Sequence, residues 1–120
     1  MREAGNMIIE GTRVQLLPIS EDDTKNIVKW RNHVRGQFLD RRLFTEESHN
    51  YWLHTMVETG KAAQFVIEVK GKDKIGSVFL RDIDRKNKKA EFGIFIGEDR
   101  YQGKGYGTEA AELILQYGFR

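Results

Sequence analysis

Tyr101-Gln102-Gly103-Lys104-Gly105-Tyr106-Gly107-Thr108 follows an apolar run from Ala90 to Ile96 and precedes a helical pattern from Glu109 to Tyr117. The stretch is therefore a glycine-rich turn between a strand and a helix. Gly103, Gly105 and Gly107 open backbone conformations that a Cβ closes, so successive N–H groups can converge on one point. The helix beginning there adds its unpaired N–H groups and the positive end of its dipole. Lys104 adds a full charge. Such a turn suits a phosphate group, but a ligand-free tight turn uses the same glycines, and the surrounding elements have to decide.

Working back from the turn, Ala90, Phe92, Ile94 and Ile96 alternate with Glu91, Gly93, Phe95 and Gly97, which puts a carboxylate beside a gap on one face of a strand. Two more runs of period two, Gln64 to Lys70 and Ile75 to Ile83, precede it, joined by Gly71-Lys72-Asp73 and by the polar stretch Asp84 to Lys89. Hairpin-scale connections of this kind predict an antiparallel three-stranded meander. Upstream of the meander the period is helical. Thr45-Glu46-Glu47 is a cap followed by acidic residues, and His49, Trp52, Leu53, Met56 and Val57 form one face of a helix that Gly60 stops. Ser20-Glu21-Asp22-Asp23 repeats the signature for an earlier helix carrying Ile27, Trp30 and Val34, ended by Gly36. Gln37 to Phe44 reads as a loop with apolar anchors. Arg13 to Leu17 is a strand closed by Pro18, the only proline. Trp30 and Trp52 are core anchors first, although two aromatic helices could also wall a pocket.

The 120 residues make one domain, 1–120, with 39% hydrophobic and 32% charged residues. Absence of cysteine excludes disulfide scaffolds, thiolate metal sites and cysteine nucleophiles. A net charge of +2 argues against a nucleic-acid partner, and the basic groups at Lys70, Lys72, Lys74 and Arg85 to Lys89 read as solvated hairpin tips. No apolar run approaches membrane-spanning length and the start carries no signal segment, so the expectation is a cytoplasmic protein without a membrane partner. His49 and His54 are five apart, the wrong spacing for two ligands on one helix face, so no metal is expected and His33, His49 and His54 read as surface or half-buried histidines.

The order strand, two helices, antiparallel strands, glycine turn and helix resembles the GNAT superfamily of acetyl-CoA-dependent N-acetyltransferases, whose signature R/Q-x-x-G-x-G/A is matched by Gln102-Gly103-Lys104-Gly105-Tyr106-Gly107. Trp30-Arg31-Asn32, Ala90-Glu91-Phe92-Gly93-Ile94 and Thr108-Glu109-Ala110 are similar to the branch with ribosomal-protein N-terminal, spermidine and aminosugar acetyltransferases. The resemblance runs from about Thr12 to the end. It implies an α/β (α+β) fold: a mixed, mostly antiparallel sheet flanked by helices. The family fold continues past the helix after the turn with a further parallel strand, a helix and a closing hairpin. The expectation is therefore that the C-terminal part is missing, either because the chain is a fragment or because another chain completes it, a second copy pairing on the open sheet edge being one such partner. The family's general acid would then lie beyond Arg120.

By the same resemblance, acetyl-CoA is the acetyl donor and a small-molecule or peptide amine the acceptor. The cofactor-binding residues are Phe95, Ile96, Gln102, Gly103, Lys104, Gly105, Tyr106, Gly107 and Thr108, with the oxyanion donor among the backbone N–H groups from Ile94 to Ile96. An alkyl ammonium titrates near about 10, so a base must take its proton before attack on a thioester. Glu91 is the candidate for that base by the resemblance, and burial beside Phe95 would raise its pKa toward the working range; the other reading is a surface glutamate on an edge-exposed strand. Arg41-Arg42 tilts the acceptor toward an anion. Gly105-x-Gly107-x-x-Ala110 also fits a dinucleotide fingerprint, but the strand before it closes an antiparallel meander and no second parallel strand follows. No G-x-x-x-x-G-K-[ST] occurs, which excludes a P-loop. The alternative from another class is a non-catalytic domain that binds CoA, a nucleotide or a partner.

Overall fold

The computed structural model describes residues 7–35, 45–84 and 86–119. Five antiparallel strands form one sheet in chain order: β1 (Ile9–Glu10), β2 (Val14–Pro18), β3 (Ala62–Val69), β4 (Lys74–Asp84) and β5 (Lys89–Ile96). The meander β3–β4–β5 is the expected one. β2 extends it, with Leu16 opposite Ile67, and ends at Pro18. β1 pairs with β2 through Ile9 and Glu10 alone, a span too short to show a period in the sequence.

Helix starts follow the caps. Asp22 N–H donates to Ser20 Oγ (3.3 Å) and Ser20 N–H to Asp23 Oδ2 (3.1 Å), closing a capping box. One 3₁₀ turn (Glu21–Asp23) then leads into α1 (Thr24–Arg35). Thr45 and Ser48 form the same box at the start of α2 (Glu46–Trp52), whose path continues as a π-turn from Leu53 to Val57 before Gly60 turns the chain at φ +81°. The final helix is α3 (Tyr106–Phe119). Gly36, the loop Gln37 to Phe44 with its Arg41-Arg42 pair, and Arg85 lie outside the described residues.

Strand register sorts the sheet into two faces. Ala63, Leu80 and Phe92 share one face with Phe65, Val78 and Ile94, and Phe65, Val78 and Leu80 pack there with Ala110 and Ile114 of α3. The opposite face carries three cross-strand rows: Ala62–Arg81–Glu91, Gln64–Phe79–Gly93 and Val66–Ser77–Phe95. Against it pack Ile27 and Trp30 of α1. Because helices cover both faces, β3 is buried on both and shows apolar runs instead of strict alternation. Gln64 and Ser77 are the polar exceptions, buried in the middle of the sheet.

Two of the basic side chains expected as solvated tips are exposed, as expected, and also make ion pairs. Lys74 Nζ reaches the buried Asp23 at 3.0 Å, tying β4 to the start of α1, and Lys70 Nζ pairs with Glu10 at 3.1 Å. Lys72 is exposed.

Candidate active site

β5 delivers the chain to the glycine turn. Gly97 N–H donates to Ile75 O (2.7 Å), a 3₁₀ turn spans Asp99–Tyr101, and Gly103 (φ +73°) and Gly105 (φ +86°) then take left-handed conformations that disfavour any Cβ. The first bond of α3 is Glu109 N–H to Gly105 O (3.1 Å), so the amides of Tyr106, Gly107 and Thr108 precede the helical ladder. Gly103, Lys104, Gly105 and Thr108 are exposed, and Tyr106 and Gly107 are half-buried.

Gln102 departs from its expected part in a phosphate cradle. Its backbone N–H donates to Asp99 O (3.1 Å), and its side-chain Nε2 donates to Ile96 O (2.9 Å) and Asp99 Oδ1 (3.3 Å). Both amides serve the loop itself, because the 3₁₀ turn before Gln102 leaves carbonyls that need donors. The left-handed part of the turn starts at Gly103, and Gln102 ties it to the end of β5.

Among the described residues β5 has a strand on one side only. Gly97 N–H points to β4, and an antiparallel ladder alternates, so Phe95 N–H also faces β4 while the amides of Ile94 and Ile96 face the open edge. The expected oxyanion donors thus narrow to Ile94 and Ile96. Phe95 contributes its ring instead.

That ring borders a cavity of about 160 Å³ between the sheet and the two N-terminal helices. Phe79 and Trp52 line it, in edge-to-face contact at 5.8 Å, and Phe95 meets Trp30 behind it at 6.5 Å. Trp52 is thus a pocket wall, while Trp30 is core, with its indole N–H bound to Glu98 at 2.8 Å. The gap expected at Gly93 is filled: a Cβ there would lie 2.5 Å from the Phe79 ring, which occupies the space. Arg31 and Arg81 bring positive charge to the wall, and Arg31 also stacks over Phe95 at 5.4 Å.

A chain of buried hydrogen bonds forms the pocket's back. Ser77 Oγ donates to Phe65 O (2.8 Å) and accepts from Gln64 Nε2 (3.0 Å), which turns Gln64 Oε1 toward Trp52 Nε1 (2.8 Å) and His49 Nε2 (3.4 Å). His49 Nδ1 meets Thr24 Oγ1 at 3.0 Å, and Thr24 bonds Asn50 at 2.7 Å. His49 was expected at or near the surface; it is 1% exposed. Burial pushes its pKa below the ordinary value, against a smaller upward pull from Gln64, so the ring is neutral near pH 7.

Glu91 shares the pocket face through its row with Arg81. The burial expected beside Phe95 is not found. Its side chain is 55% exposed and ion-paired with Arg81, because β5 is the edge strand and Gly93 separates Glu91 from Phe95. Arg81, Gln64, His49 and Arg31 were all missed as pocket residues. Two signals were available, Gln64 inside the largely apolar run Ala62 to Val69 and His49 on the same helix face as Trp52.

The last described strand of an antiparallel sheet thus runs at once into a glycine turn at a helix start, and a small aromatic pocket backs it. The chain belongs to the acetyltransferase (GNAT) domain family, whose model matches residues 13–120. It is 34% identical over 110 residues to spermidine N(1)-acetyltransferase of Escherichia coli K12, covering 88% of this chain and 57% of that protein. The chain thus spans little more than half the length of that relative. The fold is similar to RimL, a ribosomal L7/L12 alpha-N-protein acetyltransferase solved with coenzyme A (TM-score 0.75, 18% identity, 95% of this chain and 71% of that one). It is also similar to the microcin C7 self-immunity acetyltransferase MccE, solved with acetyl-CoA and AMP (TM-score 0.69, 21% identity, 89% and 63% covered). No described helix is long and apolar enough to cross a membrane.

Proposed function

We propose that this domain acetylates a primary amine with acetyl-CoA as donor. The observation that carries the reading is the dual position of β5: its outer edge offers the amides of Ile94 and Ile96, its inner face puts Phe95 into the pocket, and its end runs into the glycine turn. Donor and acceptor would meet across one strand. Acetyl-CoA supplies an acetyl thioester. The backbone from Gly103 to Thr108 holds the pyrophosphate, with the Thr108 hydroxyl and the Lys104 charge at its sides, while Gln102 fixes the turn. The outward amide of Ile96 meets the pantetheine arm, and that of Ile94 or Ile96 stabilises the oxyanion.

Glu91 takes the proton from the acceptor ammonium at the pocket rim, where its partner Arg81 also lies. Two guanidinium groups line the wall, Arg81 already paired with Glu91 and Arg31 stacked over Phe95, and such cationic donors suit an acceptor that carries negative charge beside its amine better than a polycation such as the spermidine named for the relatives.

Calorimetric titration with CoA, then transfer assays with a polyamine, a peptide N-terminus and a phosphorylated amino sugar, test the reading. CoA binding with transfer favouring the anionic amine is expected. Preference for the polyamine would overturn the acceptor class, CoA binding without transfer to any amine would favour a non-catalytic CoA-binding domain, and absence of CoA binding would overturn the whole reading.

A further inference from the structure

Arg13 stands just before β2, 91 positions from Lys104, yet its guanidinium is built into the glycine turn. Nη1 donates to Lys104 O (2.9 Å) and Nε to Glu109 Oε1 (3.2 Å). The guanidinium carbon sits 4.7 Å from the centre of the Tyr106 ring. Nη2 lies 2.9 Å from where a Cβ on Gly105 would be, so the glycine leaves space for this side chain as well as for its own positive φ.

Glu109 is the counterpart. It lies in the first turn of α3, where a bare carboxylate would repel a phosphate. Its Oε2 accepts from the N–H groups of Arg13 (2.9 Å) and Val14 (3.3 Å), and its side chain is only 17% exposed. Burial raises its carboxyl pKa, but those amides and the Arg13 guanidinium outweigh it and hold the group ionised, below its usual range. The guanidinium is thus interposed between a permanent carboxylate and the turn.

We propose that Arg13 is the positioning residue of the pyrophosphate site: it shapes the turn through Lys104 O, neutralises Glu109, and supplies from the position just before β2 the arginine that the first motif position, Gln102, lacks. This rests on the CoA reading above and deepens it. Gln102 cannot take the part, since its side chain is engaged with Ile96 O and Asp99. The guanidinium suits the position because its planar fork fixes the directions of its bonds to Lys104 O and Glu109 and presents a flat face to Tyr106, whereas an ammonium is a compact charge with rotatable donors.

The test compares CoA with pantetheine, which lacks the nucleotide and pyrophosphate, by calorimetry on the protein and on R13Q, R13K, E109Q and R13Q/E109Q. R13Q should weaken CoA by about tenfold, the scale of one charge-assisted contact, and leave pantetheine unchanged. R13K should recover part of the loss. R13Q/E109Q should bind CoA better than R13Q, because the uncompensated carboxylate has gone. An R13Q affinity equal to that of the unsubstituted protein overturns the proposal alone. So does an equal loss for both ligands, which marks a general folding effect. Absence of CoA binding by the unsubstituted protein overturns the CoA reading and this proposal together.

Discussion

Thr24 on α1 and His49 on α2 meet through Thr24 Oγ1 and His49 Nδ1 at 3.0 Å, both side chains being almost wholly buried. This contact joins two helices that the sequence separates by residues 36–45. It also fixes the imidazole beside Gln64 and so defines the back of the pocket.

Replacing Thr24 with Val keeps the volume and removes the hydroxyl, which leaves His49 Nδ1 facing a methyl group. The expected cost is about 1–3 kcal/mol, the penalty for an unsatisfied buried polar group. Urea unfolding should show a lower midpoint with an unchanged slope.

His49 and His54 should shift stability with pH in opposite senses. Burial lowers the folded pKa of His49 from the ordinary 6.5, so the unfolded chain binds that proton first and stability falls as pH drops through 6.5. H49Q removes this acid loss. Hydrogen bonds that His54 donates to Glu58, then to Glu21, raise the folded pKa of this exposed ring, so its contribution is full below 6.5 and is lost as pH rises through the raised value. The melting-temperature difference between the protein and H54Q should therefore be present at pH 5 and vanish at alkaline pH.

Gly97 is irreplaceable for a packing reason. A Cβ there would enter the Trp30 indole, whose ring is itself tied to Glu98 at 2.8 Å. G97A should destabilise the fold by about 1–3 kcal/mol through overpacking, measurable as a lower melting temperature.

Gly105→Val should eliminate CoA binding in calorimetry. The φ of +86° is strained for valine by about 1–2 kcal/mol, and the side chain would also displace Arg13 Nη2 from the turn. Unchanged affinity would show that the turn does not hold the donor.

Glu91→Gln should lower transfer near neutral pH while CoA affinity holds. Raising the pH toward about 10 should restore the rate, because the amine then deprotonates without help. If turnover at pH 7 survives the substitution, Glu91 serves only its ion pair with Arg81.

Local signals were legible where one element decides them. Ser20 and Thr45 cap helices because a side chain reaches an N–H two or three residues on, and the alternation from Ala90 to Ile96 sorted β5 into its two faces. The glycine turn was legible for the same reason, since a left-handed φ is a property of single residues. The pocket was not. Thr24, His49, Gln64 and Ser77 lie on four elements, and only packing brings them into one hydrogen-bonded chain. Glu91 was placed on the correct face, but its exposure depends on β5 being the sheet edge.

By itself the sequence determined a glycine turn joining the last strand of an antiparallel meander to a helix, because turn chemistry and periodicity are local. Only the tertiary structure decided what surrounds that turn. Gln102 closes back on Ile96, Phe79 fills the space over Gly93, and Arg13 reaches from just before β2 to stand against Gly105. Each is a contact between distant segments, set by sheet register and by the docking of α3, and no local pattern encodes it.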